Sequence, residues 1–479
     1  MPTPSVFRFT LLGLISLSAV GGARQAAADL PQDALAAAKK ATRFLTEKVS
    51  THGGYLWRYS ADLSRREGEG VVEMETIWVQ PPGTPSIGEA FVRLYEATGD
   101  DQFLQAARDA AEALRQGQMR SGGWQAMVEF DPQRRAKWAY RVDPPNSKQK
   151  DQSSLDDDKT QSAIRFIVQL DRALEFQDAQ VHQTAMDALS GLIEKGQYPN
   201  GGFPQVWQDE RLPQANQPPR AASFPETWSR TYQGHNEYWR RCTLNDNLAG
   251  DVMETLFLAE DVYGDPKYRA AALKLADWLL LAQMPEPQPA WAQQYSFDMQ
   301  PIWARKFEPP AITTSESFDV INTLMTVYER TGDKKYLAPL PKAIQYLKRC
   351  ELPDGQVARF YELETNRPLY FDREYQLTYD DGDLPTHYGF KLSSKADKLE
   401  TRYQKLAEQP APAKATSKQS KKPRDRDVQR VIEALDDRGA WLSKDGLRYH
   451  KTPGPTIDMA DVRKNLNLLA DYLAHSSDR

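Results

Sequence analysis

The sequence has few cysteines and no excess of positive charge, and these shortages exclude several classes of protein. Only Cys242 and Cys350 occur in 479 residues, and neither has neighbouring cysteines or a histidine cluster. A disulfide scaffold is therefore excluded, zinc binding is unsupported, and we expect two buried free thiols. Acidic residues outnumber basic ones, 66 to 61, for a formal net charge of −5, so no nucleic-acid partner is expected.

Long apolar runs are also missing, apart from one near the N-terminus. The largely apolar stretch 9–20 follows Arg8, and the small residues 26–28 precede Asp29. Because this stretch is too short to span a membrane, it predicts a secretory signal peptide over residues 1–28 and export to the periplasm or the medium. An uncleaved amphipathic helix is the alternative. The exported chain is expected to be a monomer without a membrane span.

Internal repetition is the strongest structural signal that is present. A turn recurs at 95–100, 263–265 and 328–333, each time ending in Gly-Asp between two stretches with apolar residues at helical spacing. A fourth unit, 162–196, has Gln177-Asp178 at the equivalent place. Glycine ends one helix and aspartate caps the next, so each unit predicts a helical hairpin.

A second repeated pattern, two glycines and an aromatic residue, occurs at 53–55, 122–124 and 201–203. These spacings are far longer than those of tetratricopeptide or ankyrin repeats. Hairpins of this size commonly form a barrel in which the inner helices pack together and one end stays open. We therefore predict an all-α fold, an (α/α) toroid of helical hairpins with long irregular loops. A plain helical solenoid is the alternative.

The composition changes over residues 393–427, which are rich in Lys, Ala, Pro, Gln and Arg. This segment is too polar to be buried and predicts a mobile excursion. Apolar periodicity returns at 428–435 and 462–473, which indicates helices that rejoin the same core. We therefore predict a single toroid domain over 29–479 with a polar, mobile insertion near 393–427.

The starts of the predicted inner helices are polar and carry acids. Helix capping explains much of this pattern, and Ser86 with Glu89 predicts a capping box. One capping residue is enough, however, whereas Asp156, Asp157 and Asp158 place three carboxylates in one turn. Such carboxylates repel each other unless a cation is present, and their hard oxygen atoms suit calcium or magnesium.

Several polar blocks occur together with the order and spacing of a known family. They are Pro199–Gln205, Leu244–Asp246, Trp303–Glu308, and a stretch from Ala358 through Asn366–Pro368 to Arg373. In these blocks the sequence resembles the pectate lyases of polysaccharide lyase family 10, and the resemblance covers most of the chain after the signal. It implies an (α/α) toroid that cleaves polygalacturonate, or a related uronate polysaccharide, by Ca²⁺-assisted β-elimination.

The resemblance also implies roles for individual residues. Asp156 and Asp246 match the acids associated with calcium, and Asp157 and Asn245 are second choices for contacts beside the metal and with the substrate. Arg305 matches the catalytic base, while Arg359 and Arg373 match arginines that bind uronate carboxylates.

The chemistry explains the need for cations. Loss of the C5 proton puts negative charge beside a carboxylate that is already negative, so the transition state needs positive groups, and guanidinium suits bidentate carboxylate contact. An arginine base is unusual because the free side chain has a pKa above about 12. The residues alone do not distinguish Arg305 from Lys306 or Tyr361. Ion pairs with Glu308 and Glu362 are alternative roles for Arg305 and Arg359.

The sequence departs from the family pattern at three places, one of which is the stretch 384–390, which only loosely resembles the family's Gly-Tyr-aromatic region. Asp157 stands where many members have asparagine, and the polar segment 208–241 is longer than usual. Trp228, Tyr232, Tyr238 and Trp239 lie in that segment, so it either forms part of a sugar cleft or packs as a plain loop.

Two other functions remain open. A toroid glycoside hydrolase acting on an acidic polysaccharide would use Asp156 and Asp246 as its carboxylate pair. A uronate-binding protein without turnover would retain the same cation and arginines.

Overall fold

The computed structural model describes residues 18–234, 236–408 and 421–477, and helices are its main regular structure. The helices form an inner and an outer layer. The inner helices are α2 (Thr84–Thr98), α5 (Lys159–Ala173), α7 (Leu248–Tyr263), α9 (Thr314–Thr331), α11 (Ala396–Glu408) and α13 (Met459–Ser477). The outer helices are α1 (Ser18–Phe44), α3 (Asp101–Arg115), α6 (Ala179–Ser190), α8 (Pro266–Leu281), α10 (Leu340–Arg349) and α12 (Asp425–Glu433), and α4 (Pro132–Arg135) is a single turn.

The inner helices follow one another around a ring. Helix α13 packs against α2, α2 against α5, α5 against α7, α7 against α9, and α9 against α11. Helices α3, α6, α8 and α10 each return along the outside of the inner helix that precedes them, and α1 covers α13. Buried side chains between the layers form one continuous hydrophobic core. The predicted all-α (α/α) toroid is confirmed.

The Gly-Asp turns join the layers as the sequence predicts. Gly99, Gly264 and Gly332 end their inner helices at φ 68°, 68° and 70°, a left-handed conformation that favours glycine. The aspartate that follows each glycine caps the next helical turn, as when Asp100 accepts a hydrogen bond from the Gln102 amide at 3.0 Å.

The glycine pairs mark close contacts with the outer layer. The first glycine of each pair has a positive φ, and a Cβ atom there would collide with the backbone of an outer helix or the turn beyond it: α3 for Gly53, α6 for Gly122 and α8 for Gly201. The aromatic residues that follow, Tyr55, Trp124 and Phe203, are buried. This repeated pattern therefore packs one hairpin against the next.

Short strands precede five of the inner helices, a regularity that the sequence does not predict. Strands β15 and β9 run directly into α13 and α9, and a short turn separates β3, β5 and β7 from α2, α5 and α7. Each of the five pairs antiparallel with a strand from a neighbouring loop. The strands are β1 (Arg58–Ser60), β2 (Arg66–Glu67), β3 (Thr76–Trp78), β4 (Met127–Glu129), β5 (Ser153–Ser154), β6 (Val206–Trp207), β7 (Cys242–Thr243), β8 (Gln294–Tyr295), β9 (Ala311–Thr313), β10 (Gln356–Ala358), β11 (Phe360–Glu362), β12 (Pro368–Phe371), β13 (Leu377–Thr378), β14 (Lys391–Ser393) and β15 (Thr456–Asp458). Because the pairs lie before the helix starts, they hold this end of the toroid in place.

Two local predictions are wrong. The sequence predicts a mobile excursion over 393–427 that is too polar to be buried, whereas 396–408 form α11, whose Leu399 and Leu406 are buried against the neighbouring helices. The predicted capping box is also absent, because α2 begins at Thr84 and Ser86 lies inside its first turn. Residues 409–420 of the predicted insertion lie outside the described residues.

The N-terminal prediction falls only partly within the described chain. Residues 1–17 of the predicted signal peptide lie outside the described residues, and 18–28 form the first part of α1. Both cysteines are buried and free, as expected. In the described part of the chain, no helix has the length and apolar character needed to cross a membrane.

Candidate active site

The same tight turn carries polar residues into the start of α5 and of α7. Asp157 has φ 47° and ψ 42°, and Asp246 has φ 49° and ψ 45°. The next residue in each turn, Asp158 or Asn247, is also left-handed. Such conformations are uncommon outside glycine and cluster at functional sites. Asp157 and Asp246 are thus equivalent positions in two neighbouring repeats.

The two turns bring three carboxylates together. One oxygen each of Asp156, Asp157 and Asp246 lies within 4.8 Å of the others, a grouping that could hold a metal ion. Burial and repulsion by Asp156 and Asp246 raise the pKa of Asp157 to about 6, and burial together with the charge of Asp156 raises the pKa of Asp246. A divalent cation would relieve this repulsion, and the all-oxygen donor set fits calcium.

Neighbouring polar side chains fix the cluster. Lys159 donates to Asp156 at 2.7 Å, and Gln80, from the loop before α2, donates to Asp157 at 3.0 Å. The side-chain amide of Asn245 donates to the Asp246 carboxylate at 2.5 Å, while the side-chain oxygen Oδ1 of Asn245 is buried without a hydrogen-bond partner. That unpartnered oxygen is a further candidate for a metal or substrate contact.

A largely buried arginine on α5 links the two turns. Arg165 on α5 donates to Asp158 at 2.5 Å, to the Asp251 carbonyl at 3.3 Å and to Thr255 at 3.1 Å. Asp251 in turn accepts from Asn247 at 2.9 Å. One guanidinium therefore supports the turn before α5 and the helix that carries the second turn.

Arg305 lies on the loop before β9 and is paired with Glu308. Its Nε and Nη2 donate to the two carboxylate oxygens at 2.8 and 2.5 Å, and its backbone amide donates at 3.0 Å. Burial opposes the charge of the guanidinium, but the hydrogen bonds and charge of Glu308 outweigh this effect and raise the pKa of Arg305. The predicted alternative pairing of Arg305 is therefore present.

Arg359 is held by three different contacts. It donates to the Gly389 carbonyl at 2.7 Å, lies 4.5 Å from the centre of the Tyr388 ring, and is 3.6 Å from the Glu316 carboxylate. Burial raises the pKa of Glu316 to about 7, and its second oxygen has no hydrogen-bond partner. Glu362, the alternative partner for Arg359, instead pairs with Arg230.

Tyr388 connects the two arginines. The centre of its ring lies 5.6 Å from the Arg305 guanidinium and 4.5 Å from the Arg359 guanidinium. Its hydroxyl donates to the Glu308 carboxylate at 3.1 Å. The charges of Arg305 and Arg359 both act on Asp246, where they oppose the effect of burial on its pKa. The acids and these two arginines therefore share one electrostatic environment.

Arg373 is placed differently. Its side chain is 68% exposed and pairs with Asp383 at 3.1 Å, in a loop after β12. No described contact joins Arg373 to the acids, so a role in substrate binding requires it to exchange Asp383 for a uronate.

Three supporting residues have no role in the sequence-based prediction of the site. Glu316 lies in a helix start already noted for its acids, and Tyr388 lies in a block with an aromatic pattern, so both had a weak signal. Gln80 had none, because only folding brings its loop beside Asp157.

The fold and this cluster define a helical toroid with a candidate divalent-metal site at the starts of its inner helices. A sequence model described as pectic acid lyase matches residues 118–331. The match contains Asp156, Asp157, Asn245, Asp246 and Arg305, whereas Arg359 and Arg373 lie beyond it. The predicted resemblance and enzyme class, a polysaccharide lyase of the pectate lyase type, are confirmed.

Solved structures with similar chains were also found. A family 10 polysaccharide lyase from Cellvibrio cellulosa is 18% identical, with coverage of 67% of this chain and 97% of that one and a TM-score of 0.45. A mutant of a Cellvibrio cellulosa family 10 lyase in complex with trigalacturonic acid is 19% identical, with coverage of 67% and 98% and a TM-score of 0.46. The cellobiose 2-epimerase of Spirochaeta thermophila is 12% identical, with coverage of 97% and 100% and a TM-score of 0.46. No curated protein sequence matches the chain.

Proposed function

We propose that the protein is an exported, monomeric pectate lyase that cleaves polygalacturonate by calcium-assisted β-elimination. The observation that carries the proposal is the acidic cluster within the electrostatic reach of Arg305 and Arg359. Hydrolysis gives no comparable reason to combine a metal-type acid cluster with arginines, whereas elimination from a uronate requires both.

Asp156, Asp157 and Asp246 would hold the metal, with Asn245 beside them. Bound there, calcium would supply a fixed positive charge for the uronate carboxylate and for the charge that develops next to it. Arg359 would bind the same or an adjacent carboxylate, since Gly389 and Tyr388 already fix the plane of its guanidinium. Arg373 would contribute to a carboxylate contact further from the acids.

Arg305 would take the C5 proton. In this step the C5–H electron pair forms the C4–C5 double bond, the C4–O bond breaks, and the departing oxygen takes a proton from solvent water while Arg305 carries away the C5 proton. Arg305 has to be neutral to act as base, and its pairing with Glu308 favours the charged form. We therefore expect the reaction to be fastest at alkaline pH.

The hydrolase alternative has less support. An inverting hydrolase places its carboxyl groups about 6.5–9.5 Å apart to admit a water molecule. Oxygens of Asp156 and Asp246 lie within 4.8 Å of each other, beside a third acid. This separation is too short for an inverting pair. A retaining pair stands about 5–5.5 Å apart, so against a retaining hydrolase it is the third acid at the same distance that favours a shared cation.

The test is an absorbance assay on polygalacturonate with calcium and with EGTA. The proposal predicts an unsaturated, ultraviolet-absorbing product that disappears in EGTA and returns with calcium. Arg305→Ala should retain binding and lose turnover. Saturated reducing ends without absorbance would favour the hydrolase, and binding without any product would favour the non-catalytic alternative.

A further inference from the structure

The long segment 208–241 forms one wall of a cavity next to the candidate active site. The cavity has a volume of about 460 Å³ and lies between this segment and the loop 296–303. Trp228, Tyr238, Arg241 and Trp303 all line it. The segment is therefore not packed as a plain loop along its whole length.

Aromatic side chains form the frame of this cavity. The ring of Trp303 is 6.5 Å from that of Trp228, and its indole nitrogen donates to the Ser229 carbonyl at 2.7 Å. Trp228, Trp303 and Tyr238 are half-buried, so part of each ring remains accessible. Partly exposed aromatic rings fixed by their neighbours are suited to stacking against the apolar face of a sugar ring.

Arg241 gives the cavity an uncompensated positive charge. In the described chain, no carboxylate forms an ion pair with Arg241, and its Nη1 is buried without a hydrogen-bond partner. Its guanidinium lies 4.7 Å from the centre of the Phe297 ring, which fixes its position. The acid that lines the cavity, Asp298, is paired with Arg220 at 2.9 Å. A buried donor without a partner is costly, and an anionic ligand would satisfy it.

The cavity is adjacent to the reaction centre. Trp303 precedes Arg305 by two residues on the same loop, and the charges of Arg305, Glu308 and Asp156 all act on Tyr238, whose pKa burial raises to about 12. A polymer chain bound at Arg305 would therefore have this cavity within reach of one of its next sugar units.

We propose that this cavity is an additional uronate subsite, in which Arg241 binds the carboxylate and Trp228, Tyr238 and Trp303 contact the ring. The inference rests on the proposed function, since it extends the same polygalacturonate chain away from the cleaved bond. It assigns the long segment a role in chain-length preference and not in the elimination step.

Binding of oligogalacturonates of two to six units tests the proposal. Affinities are measured by calorimetry with calcium in an Arg305→Ala background, so that the ligand is not consumed. Affinity should rise at the length that first reaches the cavity, and Arg241→Gln should reduce binding of the longest oligomer by roughly tenfold, the loss of one charge-assisted contact. Trp228→Ala should reduce the same rise in affinity with oligomer length. Because it is an independent variant, it also shows whether the effect of Arg241→Gln is only a folding defect.

The control is Arg172→Gln, which removes an arginine paired with Glu96 outside the cavity. It should leave the length dependence unchanged. For carboxyl-reduced oligomers, Arg241→Gln should no longer change the affinity, whereas Trp228→Ala should still reduce it. If folded Arg241→Gln and Trp228→Ala proteins keep the full length dependence, the subsite is wrong even where wild type eliminates polygalacturonate normally. If wild type neither binds nor cleaves uronates, the proposed function itself fails.

Discussion

Arg305 is bound by Glu308 through both carboxylate oxygens and through its own backbone amide. The carboxylate is only 2% exposed, whereas the arginine side chain is 41% exposed, so the buried acid holds a guanidinium that still reaches solvent. The same contact that would position Arg305 for the proposed proton transfer therefore also favours its protonated form. Glu308 sets the pH at which the proposed base can act.

Glu308→Gln should move the rise of kcat/KM with pH to a lower pH. The glutamine keeps one hydrogen bond to Arg305 but removes the negative charge that raises the pKa of the guanidinium. The measurement is a pH series of the absorbance assay for both proteins. If Arg305 acts only as a permanent cation, the rise should stay at the same pH and only the maximal rate should change.

Asp246→Asn should weaken calcium binding by at least tenfold and reduce activity at limiting calcium. The variant loses one of the three charges that could hold the cation, and the loss should be partly restored by excess calcium. Calcium titration by calorimetry checks the affinity directly. Asp437→Asn, at an exposed position, is the control and should bind calcium as wild type does.

Glu316 should make the wild type less stable as the pH rises through about 7. Its pKa is raised in the folded state, so its contribution is fully present below the unfolded value of about 4.5 and is lost as the pH approaches 7. Glu316→Gln lacks this titration. Its free energy of unfolding relative to wild type should increase between pH 4.5 and 8, by about 3 kcal/mol at most. Parallel pH curves for the two proteins in urea unfolding would contradict this assignment.

Arg165→Met should destabilise the protein by about 3–5 kcal/mol, since it leaves the Asp158 carboxylate buried without its partner. It should also weaken calcium binding, because Arg165 supports the turn that carries Asp156 and Asp157. Urea unfolding and calcium titration measure the two effects. Arg172→Met breaks a pair with side chains 46% and 39% exposed, and it should cost less than about 1 kcal/mol and leave calcium affinity unchanged.

The sequence predicts the architecture well because its signals are local. Helix spacing and Gly-Asp turns each depend on a few consecutive residues. Apolar residues recur at helical spacing over 248–262, and α7 occupies 248–263. Helix α11 was harder to predict, since only three of its thirteen residues are buried and its composition is that of a solvated segment. Strand pairs of two or three residues carry no periodicity long enough to detect.

In the candidate site too, local sequence patterns predict some residues, and only folding brings the others together. Asp156 and Asp246 stand at helix starts that are visible in the sequence, and neighbouring repeats bring them together. The environment of Arg359 depends on Glu316 and Tyr388, which come from separate parts of the chain, and no local pattern specifies that meeting. The catalytic and binding roles of these residues stay predictions until the variants are measured.

The helical ring can close only late in synthesis, because its first inner helix packs against its last. Arg93 on α2 donates to Asp471 on α13 at 2.6 Å, although the two residues are 378 positions apart in the chain. A nascent chain leaving the ribosome therefore has the acidic turns and Arg305 long before α13 can cover α2. Until then it is an open crescent with the apolar side of α2 uncovered, and contacts so distant in sequence form late and slowly.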